Sequence, residues 1–211
     1  MKTSRWNRFD ASSGLWIASN KRIYTYWFKF LQHAGNDPST SREVDWSAYE
    51  GWGDPEVICD PDTKFDAWWK KNWKTLFGYK LDETKPMYSL STPKPQPDGV
   101  RYSLLVYELK GKPLLNGQEN TDEGKVGDYW EIAKRIAVLE YPRRRDKGKK
   151  DLSYKPEDWS FNIARKIIER ELRKTHPSEF SKQKRTLQSH VGRYMRSAEH
   201  HLDNVCEGRF P

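Results

Sequence analysis

Tryptophan is concentrated at one end of this chain. Eight of the ten Trp residues fall within the first 73 positions, although hydrophobic residues make up only 35% of the 211-residue sequence. Such a polar composition is typical of disordered chains, but disordered chains contain few aromatic residues. Burial of one aromatic side chain contributes about 2–3 kcal/mol of transfer free energy, so aromatic clusters can replace a larger aliphatic core. We therefore expect the first half of the chain to fold around aromatic rings.

Two segments of the first half carry apolar residues at helical spacing. The first is expected to be capped by Ser19 or Asn20 and to run to about residue 34. The second is expected to be capped by Asp62 or Thr63 and to run to Phe77. The apolar face of the second helix is so wide that we expect the two helices to pack against each other.

The segment 91–99 contains three prolines and divides the sequence by composition. Proline lacks a backbone donor and disfavours helix in the residue before it. We therefore predict an aromatic-rich helical module at 1–90, a linker at 91–99 and a basic helical module at 100–211.

The second half predicts further helices at 122–141, 157–175 and 186–205, because apolar residues recur there every three or four positions. Residues 100–109 alternate loosely and are rich in Tyr, Val and Leu, which favours a short strand or hairpin arm. The fold class is therefore predicted as mainly α, with small helical modules and a possible short strand near 100–109.

Positive charge is concentrated in the second half. The formal net charge of the whole chain is +8, yet residues 134–196 contain 19 basic and 8 acidic residues, a local charge of +11. A basic region of this density is typical of proteins that neutralise the phosphates of nucleic acid. The alternative is a solvated surface that only aids solubility. A local run could serve as an auxiliary phosphate contact, and it consists of Arg143, Arg144, Arg145, Lys147, Lys149 and Lys150.

The last two predicted helices, within 157–205, follow the order of a helix-turn-helix. A recognition helix presents polar residues near its N-terminus to base edges, while nearby cations contact phosphates. Gln188 and Arg193 are residue types that read adenine and guanine. An ordinary helical hairpin with a solvated basic face is the alternative, and the break around Pro177 is longer than in a tight motif. The predicted nucleic-acid contacts are Lys182, Lys184, Arg185, Gln188, Ser189, Arg193 and Arg196.

A second hypothesis is a protein-interaction subunit. Trp46 and Trp52 lie in a segment rich in turn residues, where we expect exposed rings that could anchor a protein partner. The basic face would then be incidental to function.

Catalytic signatures are missing from the sequence. It contains no phosphate-binding glycine motif, no His-Glu-x-x-His and no nucleophile elbow. The acids between Asp54 and Lys64 are distantly like a metal-dependent nuclease site, but turn and helix-cap roles explain them better. We therefore expect a non-enzymatic protein without cofactor or metal.

Cysteine usage and hydropathy indicate the compartment. Cys59 and Cys206 are the only two cysteines and have no partner at metal-ligand or redox spacing. No apolar run approaches the roughly 18 residues of a membrane span, and the N-terminus leads into no signal-type stretch. We therefore expect a cytoplasmic protein with no membrane partner.

Three aromatic patterns suggest a context for the chain. They are Tyr26-Trp27-x-x-Phe30-Leu31, Phe65-x-x-Trp68-Trp69 and the terminal Asn204-x-x-x-Gly208-x-Phe210-Pro211. The chain resembles, in its first 80 residues and its C-terminal segment, a group of uncharacterised bacterial proteins carried on prophages and integrated mobile elements. The resemblance implies a mobile-element context, in which DNA-binding regulators and accessory proteins are common, and it transfers no catalytic residues.

Overall fold

The protein is represented by a computed structural model that describes residues 7–36, 42–81, 85–91, 96–110, 129–133, 135–136, 173–174 and 180–211. The chain divides into two compact units. Unit 1 comprises 1–104 together with 197–211, and unit 2 comprises 105–196. This division differs from the predicted modules, because the boundary falls after Leu104 rather than at 91–99, and the last 15 residues belong with the aromatic unit.

The described part of the chain is mainly helical, as predicted, with one short antiparallel hairpin. Strands β1 (Arg8–Asp10) and β2 (Leu15–Ile17) form this hairpin. A short 3-10 helix covers Trp46–Tyr49. The α-helices are α1 (Lys21–Asn36), α2 (Pro55–Cys59), α3 (Phe65–Leu76), α4 (Pro97–Lys110) and α5 (Phe180–Cys206). Residues 129–133 and 135–136 are also helical.

Residues 100–109 are helical, so the prediction of a strand there is wrong. Helix α4 begins at Pro97, whose fixed φ suits the first helical turn, and Asp98 complements the helix dipole there. Val100, Ser103 and Leu104 are buried at helical spacing. The alternation of Tyr, Val and Leu resembled a strand because both sides of this helix carry bulky residues.

Helix α1 matches its prediction closely. The Asn20 side chain accepts a hydrogen bond from the backbone N–H of Arg22, which caps the first turn as expected. The buried face comprises Ile23, Tyr24, Trp27, Phe28, Phe30, Leu31 and Ala34.

Helix α3 is present as predicted, but its cap is not. The helix begins at Phe65, and the residue before it, Lys64, makes no side-chain capping hydrogen bond. The Thr63 hydroxyl instead donates to the carbonyl of Val57, and the Asp62 N–H donates to the side chain of Asp60. Both predicted caps therefore stabilise the turn that precedes the helix.

Aromatic rings form the core of unit 1. The Trp27 ring is fully buried, with its centroid 5.4 Å from that of Trp52, 5.9 Å from that of Phe77 and 5.7 Å from that of Phe210. Such pairs contribute about 0.5–1.5 kcal/mol each beyond the area they bury. The sequence expectation of an aromatic core is therefore confirmed, with α1 at its centre.

The C-terminal residues complete this core. Phe210 is fully buried against α1, and its carbonyl accepts a hydrogen bond of 2.8 Å from the backbone N–H of Ser91. Gly208 has φ of +72°, and a Cβ at this position would lie 2.6 Å from the Cβ of Ala48. Only glycine permits this close turn, which directs Phe210 back into the core.

Two buried polar groups in the core are satisfied by one tyrosine. The Trp27 indole N–H donates to the Tyr49 hydroxyl over 3.2 Å, and that hydroxyl donates to the carbonyl of Val205 over 2.5 Å. The hydroxyl thereby connects the 3-10 helix to both α1 and α5.

We predict that Tyr49→Phe lowers the free energy of unfolding by about 2 kcal/mol, because it leaves the Trp27 N–H without a partner in the core and the Val205 carbonyl with only the 3.3 Å hydrogen bond from the Gly208 N–H. Urea denaturation measures the loss. Tyr88→Phe is the matched control: its hydroxyl donates to the exposed Glu50 carbonyl, so the change is expected to stay within about 0.5 kcal/mol. Equal losses in the two variants would contradict this account of the core.

His201 introduces an acid-sensitive group into the same core. Its ring lies 5.2 Å from the Phe30 ring and 5.4 Å from the Phe210 ring, and its Nδ1 is buried without a hydrogen-bond partner. Burial, with a smaller contribution from the neighbouring His200, lowers the pKa of His201 to about 4. Because the ordinary pKa of 6.5 applies to the unfolded chain, the unfolded state binds the proton first as the pH falls.

We therefore predict that this contribution to stability is complete above about pH 6.5 and is lost as the pH falls toward 4. The loss should be about 2 kcal/mol, since the ring retains some solvent contact. Urea denaturation at several pH values should show a smaller acid-induced loss for His201→Phe. The exposed His200→Gln removes only the smaller contribution and should lose almost as much stability in acid as the wild type. Identical pH profiles for all three proteins would refute the prediction.

Candidate nucleic-acid interface

The N-terminal half of α5 concentrates the predicted nucleic-acid contacts. Residues 180–198 contain five Lys and Arg side chains and no Asp or Glu. The helix starts at Phe180, six residues before the predicted start at 186. Lys182, Lys184 and Arg185 therefore lie within its first two turns and not ahead of the helix. The helix extends this far because Lys, Arg and Gln are good helix formers.

Five of the predicted residues share one exposed face of α5. Lys182, Arg185, Ser189, Arg193 and Arg196 recur at intervals of three or four residues, and all five are exposed. We call this set the basic stripe. At 1.5 Å per residue, the stripe extends for about 21 Å along the helix.

The opposite face of the helix is held in the core of unit 2. Val191 and Met195 are buried there, and Leu187 packs against the same cluster. The other buried members of this cluster are Val106, Leu109, Trp130, Ile132 and Ala133. Because this face is buried, the basic stripe is oriented toward solvent.

Lys184 and Gln188 lie off the stripe. Lys184 is half-buried, and its Nζ lies 5.4 Å from the centroid of the Trp130 ring, a cation–π contact. Gln188 is also half-buried. Gln188, which was predicted to read adenine, therefore lies on a flank of the helix. Helical spacing turns both Lys184 and Gln188 away from the stripe.

Thr186 lies on the same side as the stripe but was not predicted. The residue is exposed, and its hydroxyl donates a hydrogen bond of 3.0 Å to the carbonyl of Lys182. Thr186 is four residues after Lys182 and three before Ser189, and this helical spacing could have predicted that it lies beside the stripe.

The charge of the stripe does not stabilise its own helix. The helix dipole places partial positive charge at the N-terminus, where cations are unfavourable and acids are favoured. The first turn of α5 contains no acid, and Lys182 and Arg185 follow at once. Lys182, Arg185 and Arg196 form no ion pair with any residue that the structure describes. Lys182, Arg185 and Arg196 therefore offer positive charge to an anionic ligand on the exposed face of the helix.

The C-terminal half of α5 contrasts with the stripe. Glu199 and Asp203 are the first acids of the helix, and Arg42 reaches both, with N–O distances of 2.7 Å and 2.6 Å. These residues belong to unit 1, where the charges compensate each other. The Lys and Arg residues of α5 all lie before Ser197, and its acids all lie after that residue.

The predicted partner-binding tryptophans are not an exposed pair. Trp52 is 1% exposed and lies in the aromatic core, 4.8 Å from the Trp68 ring and 4.9 Å from the Tyr49 ring, so the prediction that it is exposed is wrong. Trp46 is half-buried beside Tyr49. The turn residues around Trp52 bend the chain so that its ring points inward, which a turn-rich composition did not indicate.

Other predicted features lie outside the described residues. They include the basic run from Arg143 to Lys150 and most of the predicted first helix of the helix-turn-helix. Of that helix the structure describes residues 173–174, which are helical and exposed.

The acids between Asp54 and Lys64 have structural roles. The Asp54 side chain caps α2 by accepting a hydrogen bond of 2.9 Å from the N–H of Glu56. Asp60 accepts from Asp62 in the following turn. Within the part of the chain that the structure covers, no three His, Cys, Asp or Glu side chains converge as metal ligands.

Cys59 and Cys206 are free thiols, and burial raises the pKa of each. Among the described helices, none combines the length and apolar character that crossing a membrane requires.

Comparison with protein-family models, with curated proteins and with solved structures finds no match to this chain.

The cations near the N-terminus of α5 should lower the stability of the helix, and a charge reversal tests this. We predict that Lys182→Glu raises the free energy of unfolding by about 0.3–1 kcal/mol, because an acid near the helix N-terminus replaces a cation. Thermal and urea denaturation measure the gain. Arg193→Glu reverses the same charge in the middle of the helix and is expected to give no such gain, so a similar rise in both variants would contradict the explanation.

Proposed function

We propose that the protein binds DNA through the basic stripe of α5, as a non-enzymatic regulator or accessory protein of a mobile element. The observation that supports this most strongly is the alignment of four exposed cations on one helix face that carries no acid before Glu199. The mobile-element context comes from the aromatic sequence patterns and their resemblance to prophage-carried proteins.

The geometry of the stripe suits a polyanion. An α-helix fits the major groove of B-DNA, where side chains on its exposed face meet phosphates and base edges. Lys182, Arg185, Arg193 and Arg196 would contact phosphates and position the helix, while Ser189 lies at the centre of the stripe as a hydrogen-bonding group. The Arg143–Lys150 run would add phosphate contacts.

Counterion release sets the expected salt dependence. Four neutralised phosphates give a slope of about −3.6 for the logarithm of the association constant against the logarithm of salt concentration. We predict a slope at least this steep for the wild type on duplex DNA, measured by fluorescence polarisation with a random 20-base-pair duplex between 50 and 200 mM salt.

Removal of two stripe cations tests the site. We predict that Arg193→Gln with Arg196→Gln weakens duplex binding and makes the slope less steep by about two. The matched control is Lys70→Gln with Lys71→Gln, which removes the same charge from the exposed face of α3 in unit 1. This control is expected to bind like the wild type.

Two results would overturn the proposal. One is a flat salt response of the wild type. The other is an equal loss of affinity in the stripe variant and the α3 control, which would indicate that net charge alone governs binding. Tighter binding to an RNA duplex of the same sequence would contradict the choice of DNA.

A further inference from the structure

Strand β1 is the open edge of the hairpin in unit 1. Strand β2 pairs with it on one side, and no strand among the described residues pairs with it on the other side. An open edge presents backbone donors and acceptors that can pair with a strand of another chain. Phe9, in the middle of β1, is 54% exposed, the highest value among the large hydrophobic residues that the structure describes.

The backbone groups of Phe9 point outward from this edge. Trp16 exchanges backbone hydrogen bonds of 2.7 Å and 3.0 Å with Tyr79, on the side of β2 that faces away from β1. Residues opposite each other in an antiparallel pair alternate between hydrogen-bonded and non-hydrogen-bonded positions. Because Phe9 lies opposite Trp16, it occupies a non-hydrogen-bonded position, and its N–H and C=O are directed away from β2. Phe9 therefore offers one donor and one acceptor to an incoming strand.

The sequence of β1, Arg8-Phe9-Asp10, complements itself. In an antiparallel pair of two copies centred on Phe9, the N–H of each Phe9 meets the C=O of the other Phe9. Arg8 of each copy then lies directly opposite Asp10 of the other copy. Opposite charges at such directly paired positions stabilise a sheet. A second copy of this chain is therefore a partner that matches the edge in both hydrogen bonding and charge.

Charge also selects the register of this pairing. The outward-pointing backbone groups recur at every second residue, so the alternative antiparallel registers are slips by two residues. A slip in one direction places Arg8 opposite Arg8, and a slip in the other direction places Asp10 opposite Asp10. Like charges directly opposite each other are destabilising. The register centred on Phe9 is the one that pairs each arginine with an aspartate.

Both charges are available for a second copy. The Ser12 hydroxyl, the Ser13 hydroxyl and the Ser13 N–H all donate to Asp10 Oδ2, and no described residue donates to Oδ1. The side-chain hydrogen bonds from Ser13 and Ser12 lower the pKa of Asp10, to which the charge of Lys74 adds the smallest contribution. Asp10 is therefore ionised. Arg8 is exposed and forms no ion pair with any residue in the described part of the chain.

The two faces of the hairpin suit a dimer of this kind. Arg8 and Asp10 share one face with their partners on β2, Ile17 and Leu15, and Ile17 is buried. Phe9 projects from the other face beside Trp16, with ring centroids 5.3 Å apart. A pair centred on Phe9 brings the two Phe9 rings together on that face, where each ring loses contact with water.

We propose that the open edge of β1 is a self-association site, at which two copies of the chain pair antiparallel about Phe9 and Arg8 of each copy contacts Asp10 of the other. The contact of two three-residue strands is small, and interfaces of this size are typical of weak, reversible association. The proposal rests on the edge alone and is independent of the basic stripe and of DNA.

The first test measures self-association of the full chain without nucleic acid. Sedimentation equilibrium from micromolar to near-millimolar concentration should show a reversible dimer. Arg8→Asp is expected to weaken the dimer by about ten-fold or more, because it places a carboxylate opposite Asp10 at both ends of the pair. The matched control is Arg22→Asp, which makes the same charge change at an exposed position of α1 and should associate like the wild type.

Mixing two variants tests the pairing of Arg8 with Asp10 directly. Asp10→Arg alone should associate as weakly as Arg8→Asp alone, because each homodimer then places like charges opposite each other. An equimolar mixture of the two variants should recover the association of the wild type, since every aspartate in the mixed pair faces an arginine. Circular dichroism establishes that both variants are folded.

A disulfide test leaves Asp10 and the turn unchanged. Hydrogen-bonded residues of an antiparallel pair have Cα atoms about 5.5 Å apart, which suits a disulfide. Phe9→Cys should therefore form a disulfide-linked dimer under mild oxidation. The exposed Ala11→Cys is the control, since the two copies of this position lie about 13 Å apart along the strands. Cys59 and Cys206 are present in both variants, so crosslinks through them are common to the two.

Three results would overturn the inference. One is a wild-type protein that remains monomeric over the whole concentration range. Another is wild-type association in Arg8→Asp, which would place any dimer contact on a different surface. The third is an equal yield of disulfide-linked dimer from positions 9 and 11, which would exclude the register centred on Phe9.

Discussion

The packing of Trp27 against rings from distant parts of the chain is the interaction on which unit 1 depends. The ring meets Trp52 and Phe77 from the central segments and Phe210 from the C-terminal residues. Its indole N–H is satisfied by Tyr49, which in turn binds the end of α5. A chain with so few hydrophobic residues thereby obtains a core from a small number of large side chains, each of which contacts several others.

Helix α5 contributes residues to both units of the protein. Its C-terminal half buries Ala198, Leu202 and Val205 in unit 1, while its N-terminal half buries Val191 and Met195 in unit 2. Within unit 2, the burial of Val191 and Met195 leaves the basic stripe on the exposed side of the helix. Arg42 pairs with Glu199 and Asp203, the first acids of this helix, and the segment before Ser197 contains cations and no acid.

Periodicity and capping were sufficient to predict much of the fold. The aromatic spacing around Trp27 identified α1 and its cap, since the local signals and the buried face agree there.

Residues 100–109 were assigned incorrectly because helix α4 is bulky on both sides, which weakens helical periodicity. Trp52 was expected to be exposed because a turn-rich segment does not indicate which way its side chains point. The β1–β2 hairpin was missed since three-residue strands are too short to establish a pattern. Five of the seven predicted contacts on α5 share one face. Lys184 and Gln188 do not, because they were chosen by residue type and helical spacing turns both away from the stripe.

The most direct test of the central claim is site-specific photocrosslinking to duplex DNA. A benzophenone amino acid at Ser189, in the middle of the basic stripe, is compared with the same group at Ala67, an exposed position on α3. Our account predicts an efficient crosslink from position 189 that decreases as salt is raised, and little from position 67. Crosslinking from position 67 with none from position 189 would contradict it.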